Sequence, residues 1–183
     1  MSTLFVDTIN EKTSGNGILI PGHVVNIHNI LKTDTQTSTS SSWVDITGLS
    51  ITFTPKSSTN KILIQGHVTC SINYDASMSI KPVKTVNGVS TDIAIADAAG
   101  SRVRGHTGYG YYNNSWNHYH YTQFPINAVH TLSSSSSTTI KMQIRNGDTS
   151  NIGWAVNRAY DNDPDAVWEA RATSSLIVME IAQ

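Results

Sequence analysis

The period at which apolar residues recur constrains this chain more than any other feature. Between Thr138 and Ile144, Ile140, Met142 and Ile144 alternate strictly with polar residues. That is the spacing of a half-buried strand, because successive strand side chains point to opposite faces. Strand-like apolar patterns also mark Trp43, Ile46, Leu49, Ile51 and Phe53, and then Ile62, Ile64, Val68 and Ile72. Turn chemistry separates the runs: Pro55 with the Ser/Thr/Asn stretch after it, Asn87-Gly88, the serines at 133–137, and Asn146-Gly147. Asn-Gly is the strongest of these signals, since a two-residue hairpin of type I′ needs positive φ at both positions. No segment carries a convincing helical period, although Ala96–Gly100 and Pro164–Ala172 leave room for a short helix. The pattern predicts an all-β chain: an antiparallel β-sandwich, jelly-roll-like, preceded by a short extended N-terminal β segment.

A chain of 183 residues holds one full-sized β domain and a small appendage. The boundary is expected near residue 24. In residues 1–24, Leu4, Val6 and Ile9 suggest one short strand, and Ile18, Leu19 and Ile20 another, around a Gly/Asn turn. Two strands alone bury too little apolar surface to be stable in water. The segment is therefore expected to attach or trimerise, with Leu4, Val6 and Ile9 as the contacts, while residues 25–183 form the head. Val25, Ile27 and either Ile30 or Leu31 are expected to face the core of the head. In the final run, Leu176, Val178 and Ile181 are assigned to one face and Ile177 and Met179 to the other. A strand apolar on both sides is either central in its own domain or meets its core on one face and a neighbouring subunit on the other.

Composition narrows the function classes. Charged residues make up 14% and the formal net charge is -1, so no basic field attracts nucleic acid. Cys70 is the single cysteine; an intrachain disulfide is impossible, and a buried inert thiol is expected from its place in an apolar run. Residues 1–12 lack a basic region followed by an apolar core, and no apolar run reaches the length of a membrane span. Neither a signal peptide nor membrane insertion is expected.

The segment from Arg104 to Asn127 concentrates Tyr109, Tyr111, Tyr112, Trp116, Tyr119, Tyr121 and Phe124 among histidines and asparagines. Flat aromatic faces bordered by amides and imidazoles suit a glycan surface, because sugar C–H faces stack on rings while hydroxyls need donors and acceptors. Tyr111, Tyr112, Trp116, His118 and Tyr119 are the contact candidates; the competing role for such rings is ordinary strand core. His118 and His120 would share a strand face, but no further ligands complete a metal site. Asp161, Asp163 and Asp165 have the spacing of a calcium loop, yet Ala166 stands where glycine is needed and Ala172 where a bidentate glutamate is needed. No Ser, Cys or paired-carboxylate arrangement indicates catalysis. The expectation is a non-enzymatic protein with no cofactor and no metal.

Val6-Asp7-Thr8-Ile9, Ser14-Gly15, Ile46-Thr47-Gly48-Leu49, Pro55, Lys61-Ile62-Leu63-Ile64 and Leu176 to Ile181 together resemble tail fibre or fibre-like virion structural proteins of tailed bacteriophages, those of marine and cyanobacterial phages above all. The resemblance spans most of the chain except residues 97–130. It implies a virion location, a docking or trimerising N-terminus, and a jelly-roll head similar to the trimeric tumour-necrosis-factor and complement-head sandwiches. Partners implied are two further copies in a homotrimer, other tail or capsid proteins, and a host-surface glycan or protein. The alternative of the same shape is a capsid decoration protein that stabilises the shell.

Overall fold

The computed structural model describes residues 6, 8–10, 20–73, 76–109, 121–147, 152–161 and 169–183. Among these residues every regular element is a strand: β1 Val24–Lys32, β2 Gln36–Ser38, β3 Val44–Phe53, β4 Lys61–Ile72, β5 Met78–Val86, β6 Val89–Asp92, β7 Thr107–Tyr109, β8 Thr122–Thr131, β9 Thr138–Asn146, β10 Trp154–Val156 and β11 Ser174–Ile181.

Two antiparallel sheets form a sandwich. The first runs β1-β11-β4 with β8 on the far side of β4, and β10 followed by β2 continues the β11 side along the end of β4. The second runs β3-β9-β5-β6, with β7 also on β5. The chain crosses between sheets from β2 to β3, β3 to β4, β4 to β5, β7 to β8, β8 to β9 and β9 to β10. This repeated crossing is the wrapping of a jelly roll, and the long connections it requires are why so few neighbours are joined by tight turns. The exception is Asn87-Gly88, which joins β5 to β6 with φ of 49° and 78° at its two central residues, as a type I′ hairpin demands.

The core lies between the sheets. Ile62, Ile64 and Val68 of β4, Leu176 and Val178 of β11, and Phe124 and Ile126 of β8 meet Ile46, Leu49 and Ile51 of β3, Ile140, Met142 and Ile144 of β9, and Ile80 of β5. Trp154 fills the β10 end of this layer and is fully buried.

Two phase assignments differ from the sequence expectation. Ile27 faces outward; of the alternatives Ile30 and Leu31 it is Ile30 that turns inward, with His28 and Lys32. In β11 it is Glu180, not Ile181, that follows Leu176 and Val178 inward. The reason is polar: Glu180 Oε1 accepts hydrogen bonds from the backbone N–H groups of Lys56 and Ser57 at 2.8 and 3.4 Å and from Asn60 Nδ2 at 2.8 Å. A buried carboxylate is tolerated where donors surround it. Ala96–Gly100 contains no helix, while most of Pro164–Ala172 lies outside the described residues.

Candidate functional site

The outer face of the first sheet is built from strand register. Four aligned residues run across it in each row: Ile27, Met179, Leu63 and Val129; then Asn29, Ile177, Gln65 and Asn127; then Leu31, Ser175, His67 and Pro125. A fourth row joins Val24, Ile181, Lys61 and Thr131. Directly opposed residues share a face and pack against one another. The first row is therefore a continuous apolar stripe across four strands. Val24, Ile27, Leu31 and Val129 are 49%, 57%, 58% and 61% exposed, while Leu63, Ile177, Met179 and Ile181 are half-buried by their neighbours alone.

Charge is scarce on this face. Among the described residues of these four rows, Lys61 is the one charged side chain. His67 is held within it, with Nε2 against the Thr173 carbonyl and Nδ1 against the Ser175 hydroxyl, both at 3.1 Å. An acceptor-only carbonyl fixes the N–H on Nε2, so the Ser175 hydroxyl donates to Nδ1.

The outer face of the second sheet has the opposite character. Its rows are Asp45, Gln143 and Lys81; Ser50, Lys141, Val83 and Asp92; and Thr52, Thr139, Thr85 and Ser90. Lys141 and Gln143 both reach the Asp45 carboxylate at 2.7 Å, and Lys81 pairs with Asp92 at 2.6 Å. Desolvation works against the Asp45 charge, but the hydrogen bonds from Lys141 and Gln143 outweigh it and hold the carboxyl below its ordinary range. Lys81 also lies over the Trp43 ring at 4.2 Å. Thr52 with Thr139 and Thr85 with Ser90 close hydroxyl pairs at 2.8 and 2.9 Å. Each charged side chain of these rows, Asp45, Lys141, Lys81 and Asp92, has an opposite charge beside it, which is how a solvent-facing sheet satisfies itself.

Tyr111, Tyr112, Trp116, His118, Tyr119 and His120 lie outside the described residues, as do Leu4, Asp163 and Asp165. Of the expected attachment contacts, Val6 and Ile9 are described and exposed. Cys70 is buried, and burial pushes its thiol far above the ordinary range. No group of three metal-ligating side chains occurs among the described residues. A shallow hollow of about 290 Å³ lies against Met78, Ser79, Val103 and His106.

The sequence reading missed Ile27, Leu63 and Val129 as members of one outward row. The signal available was the two-sided apolar character of β11, which fits either a central strand or a contact on its outer face and names no neighbours.

No protein-family model matches the chain, and no curated protein matches it. Two solved structures of infectious bursal disease virus, from the Gx and Gt strains, align with 86% of this chain at 16% and 13% identity, with TM-scores of 0.40 and 0.39. The chain spans 37% and 38% of the length of those chains. Similarity at that level carries no argument about function, which rests on the residues themselves.

Proposed function

We propose that this chain is a virion structural protein, a self-associating fibre or spike head that packs copies of itself through the outer face of the β1-β11-β4-β8 sheet. The observation that carries the reading is the contrast between the two outer faces: one is charged and internally paired, the other presents the Ile27-Met179-Leu63-Val129 stripe with a single charge beside it. A contiguous apolar sheet face on a soluble domain marks an interaction site. A second copy fits because the face is nearly uncharged, so identical surfaces meet without burying unpaired ions.

The resemblance of residues 1–25, 46–64 and 176–181 to phage fibre proteins supports three copies and a virion setting. Exposed Val6 and Ile9 suit an N-terminal segment that meets another particle protein. Three copies also multiply weak receptor contacts by avidity. Tyr111, Tyr112, Trp116, His118 and Tyr119 remain the contact candidates on sequence grounds.

Light scattering on the purified chain, with the same sample offered to intact host cells, tests the proposal. A trimer that becomes a folded monomer on Leu63→Lys or Met179→Lys supports the interface. A native monomer, or an oligomer indifferent to both changes, overturns it. Loss of cell binding in Tyr112→Ala with Trp116→Ala, at unchanged mass, supports a receptor-binding head. An abundant copy number on the capsid without cell binding would instead assign a decoration role.

A further inference from the structure

The β8 edge is closed in an unusual way. Among the described residues β8 pairs with β4 alone, so alternate backbone groups face away from that ladder. Pro125 occupies one such position and has no N–H to satisfy. At the next, the Asn127 N–H donates to Nε2 of His106 at 3.3 Å. The other imidazole nitrogen, Nδ1, lies 2.8 Å from the carbonyl oxygen of Ala94. That oxygen only accepts, so the proton is on Nδ1 and the Nε2 lone pair faces Asn127. Ala94 has φ of 51°, a left-handed conformation costly for alanine, and the His106 bond helps to hold it.

Three residues along β8, His130 repeats the arrangement. Its Nε2 lies 2.9 Å from Nζ of Lys84 on β5, across the sandwich. An ammonium only donates, so this imidazole is an acceptor too. In neither case can the partner reverse its role: a backbone N–H and an ammonium both clash with a second proton on Nε2.

We propose that His106 and His130 form a paired acid-sensitive latch that ties the 93–106 loop and β5 to the β8 edge and opens when the imidazoles are protonated. Burial, and then the Lys84 charge, already hold His130 below its ordinary range, consistent with an acceptor role. The charged surroundings do not compensate. Lys84 is the cation facing His130 from β5. On the β4 and β11 side the inward row reads His130, Ile62, Glu180, so the only carboxylate of that row is one strand further away and already engaged by Lys56, Ser57 and Asn60. Lys61 turns to the opposite face. Around His106, Arg104 directs Nε to the Ala96 carbonyl, Asp97 and Arg102 are on the same loop, and Lys81 and Asp92 pair with each other on β5 and β6.

Opening leaves the β8–β4 ladder intact and frees the 93–106 loop.

Residue-resolved amide exchange on the full chain, between about pH 7.5 and about pH 5, brackets imidazole titration. The Asn127 amide is expected to lose about tenfold in protection in acid, while Ile126 and Ala128, which face β4, keep theirs. His106→Gln, whose amide oxygen accepts without titrating, is expected to abolish the loss. No loss in the native chain, an equal loss in His106→Gln, or a uniform loss along β8 overturns the latch. Imidazole ¹⁵N shifts of the native chain give a second reading: an Nε2–H tautomer on either neutral histidine also overturns it.

Discussion

Ser174 donates its hydroxyl to Oδ1 of Asn157 at 2.6 Å, deep in the layer where β11, β4 and the β1–β2 turn converge. The same Asn157 amide donates to the carbonyls of Lys32 and Asp34 at 2.9 and 2.8 Å, and its backbone N–H reaches Thr69 at 2.8 Å. Its φ of 63° is one that asparagine tolerates better than most residues. One buried residue thus satisfies groups on three separate segments, two through its side chain and one through its backbone. Asn157→Ala is expected to destabilise the fold by about 3 kcal/mol in chemical denaturation, through orphaned carbonyls and a strained backbone. Asn157→Gly, which relieves only the strain, should recover less than half of that.

Gly66 sits in β4 opposite Leu176 with φ of 150°, and a Cβ there would overlap the Ser175 carbonyl of the adjacent strand. Since that neighbour is backbone, relief requires the β4–β11 ladder to shift. Gly66→Ala is expected to cost about 3 kcal/mol, at the upper end for overpacking, and to lower the melting temperature more than Gly88→Ala, whose Cβ meets open space.

His130 has a depressed affinity for protons in the fold, from burial first and the Lys84 charge second. The unfolded chain therefore binds the proton more readily than the native one. This contribution to stability is complete above the ordinary imidazole value of 6.5 and is lost as the pH falls through the lower native value. Solvent screening at a half-exposed site limits it to about 1 kcal/mol or less. Denaturation midpoints measured from about pH 8 to about pH 5 should fall less steeply in His130→Gln than in the native chain.

Cys70 is enclosed between β10 and β8, at register with Val156 and Thr122, and burial raises its thiol far above the ordinary range. A thiol reagent at about pH 8 should label less than about one-tenth of the native chain on a timescale that fully labels it in denaturant. Rapid native labelling would mean that the β10 end of the sandwich opens.

What the sequence by itself determined were the local choices. Asn87-Gly88 placed the one tight hairpin among the described residues because its chemistry is complete within two residues, and Ile140-Met142-Ile144 placed β9 because each partner of an alternation lies within reach of a strand's own period. The two-sided apolar character of β11 was legible too, and the strand lies centrally between β1 and β4. Tertiary structure decided the phase wherever both faces of a strand read as apolar. In β1, Val25 and Ile27 compete with Ile30, and only the ladder to β11 assigns Ile27 outward. In β11, Glu180 goes inward in place of Ile181 because Lys56, Ser57 and Asn60, 120 or more residues away in the chain, supply donors that no local pattern contains. The stripe from Ile27 to Val129 is likewise assembled from four distant segments. Alternation specifies that a strand has two faces; only the closing of one sheet over the other specifies which face is buried and which is left exposed.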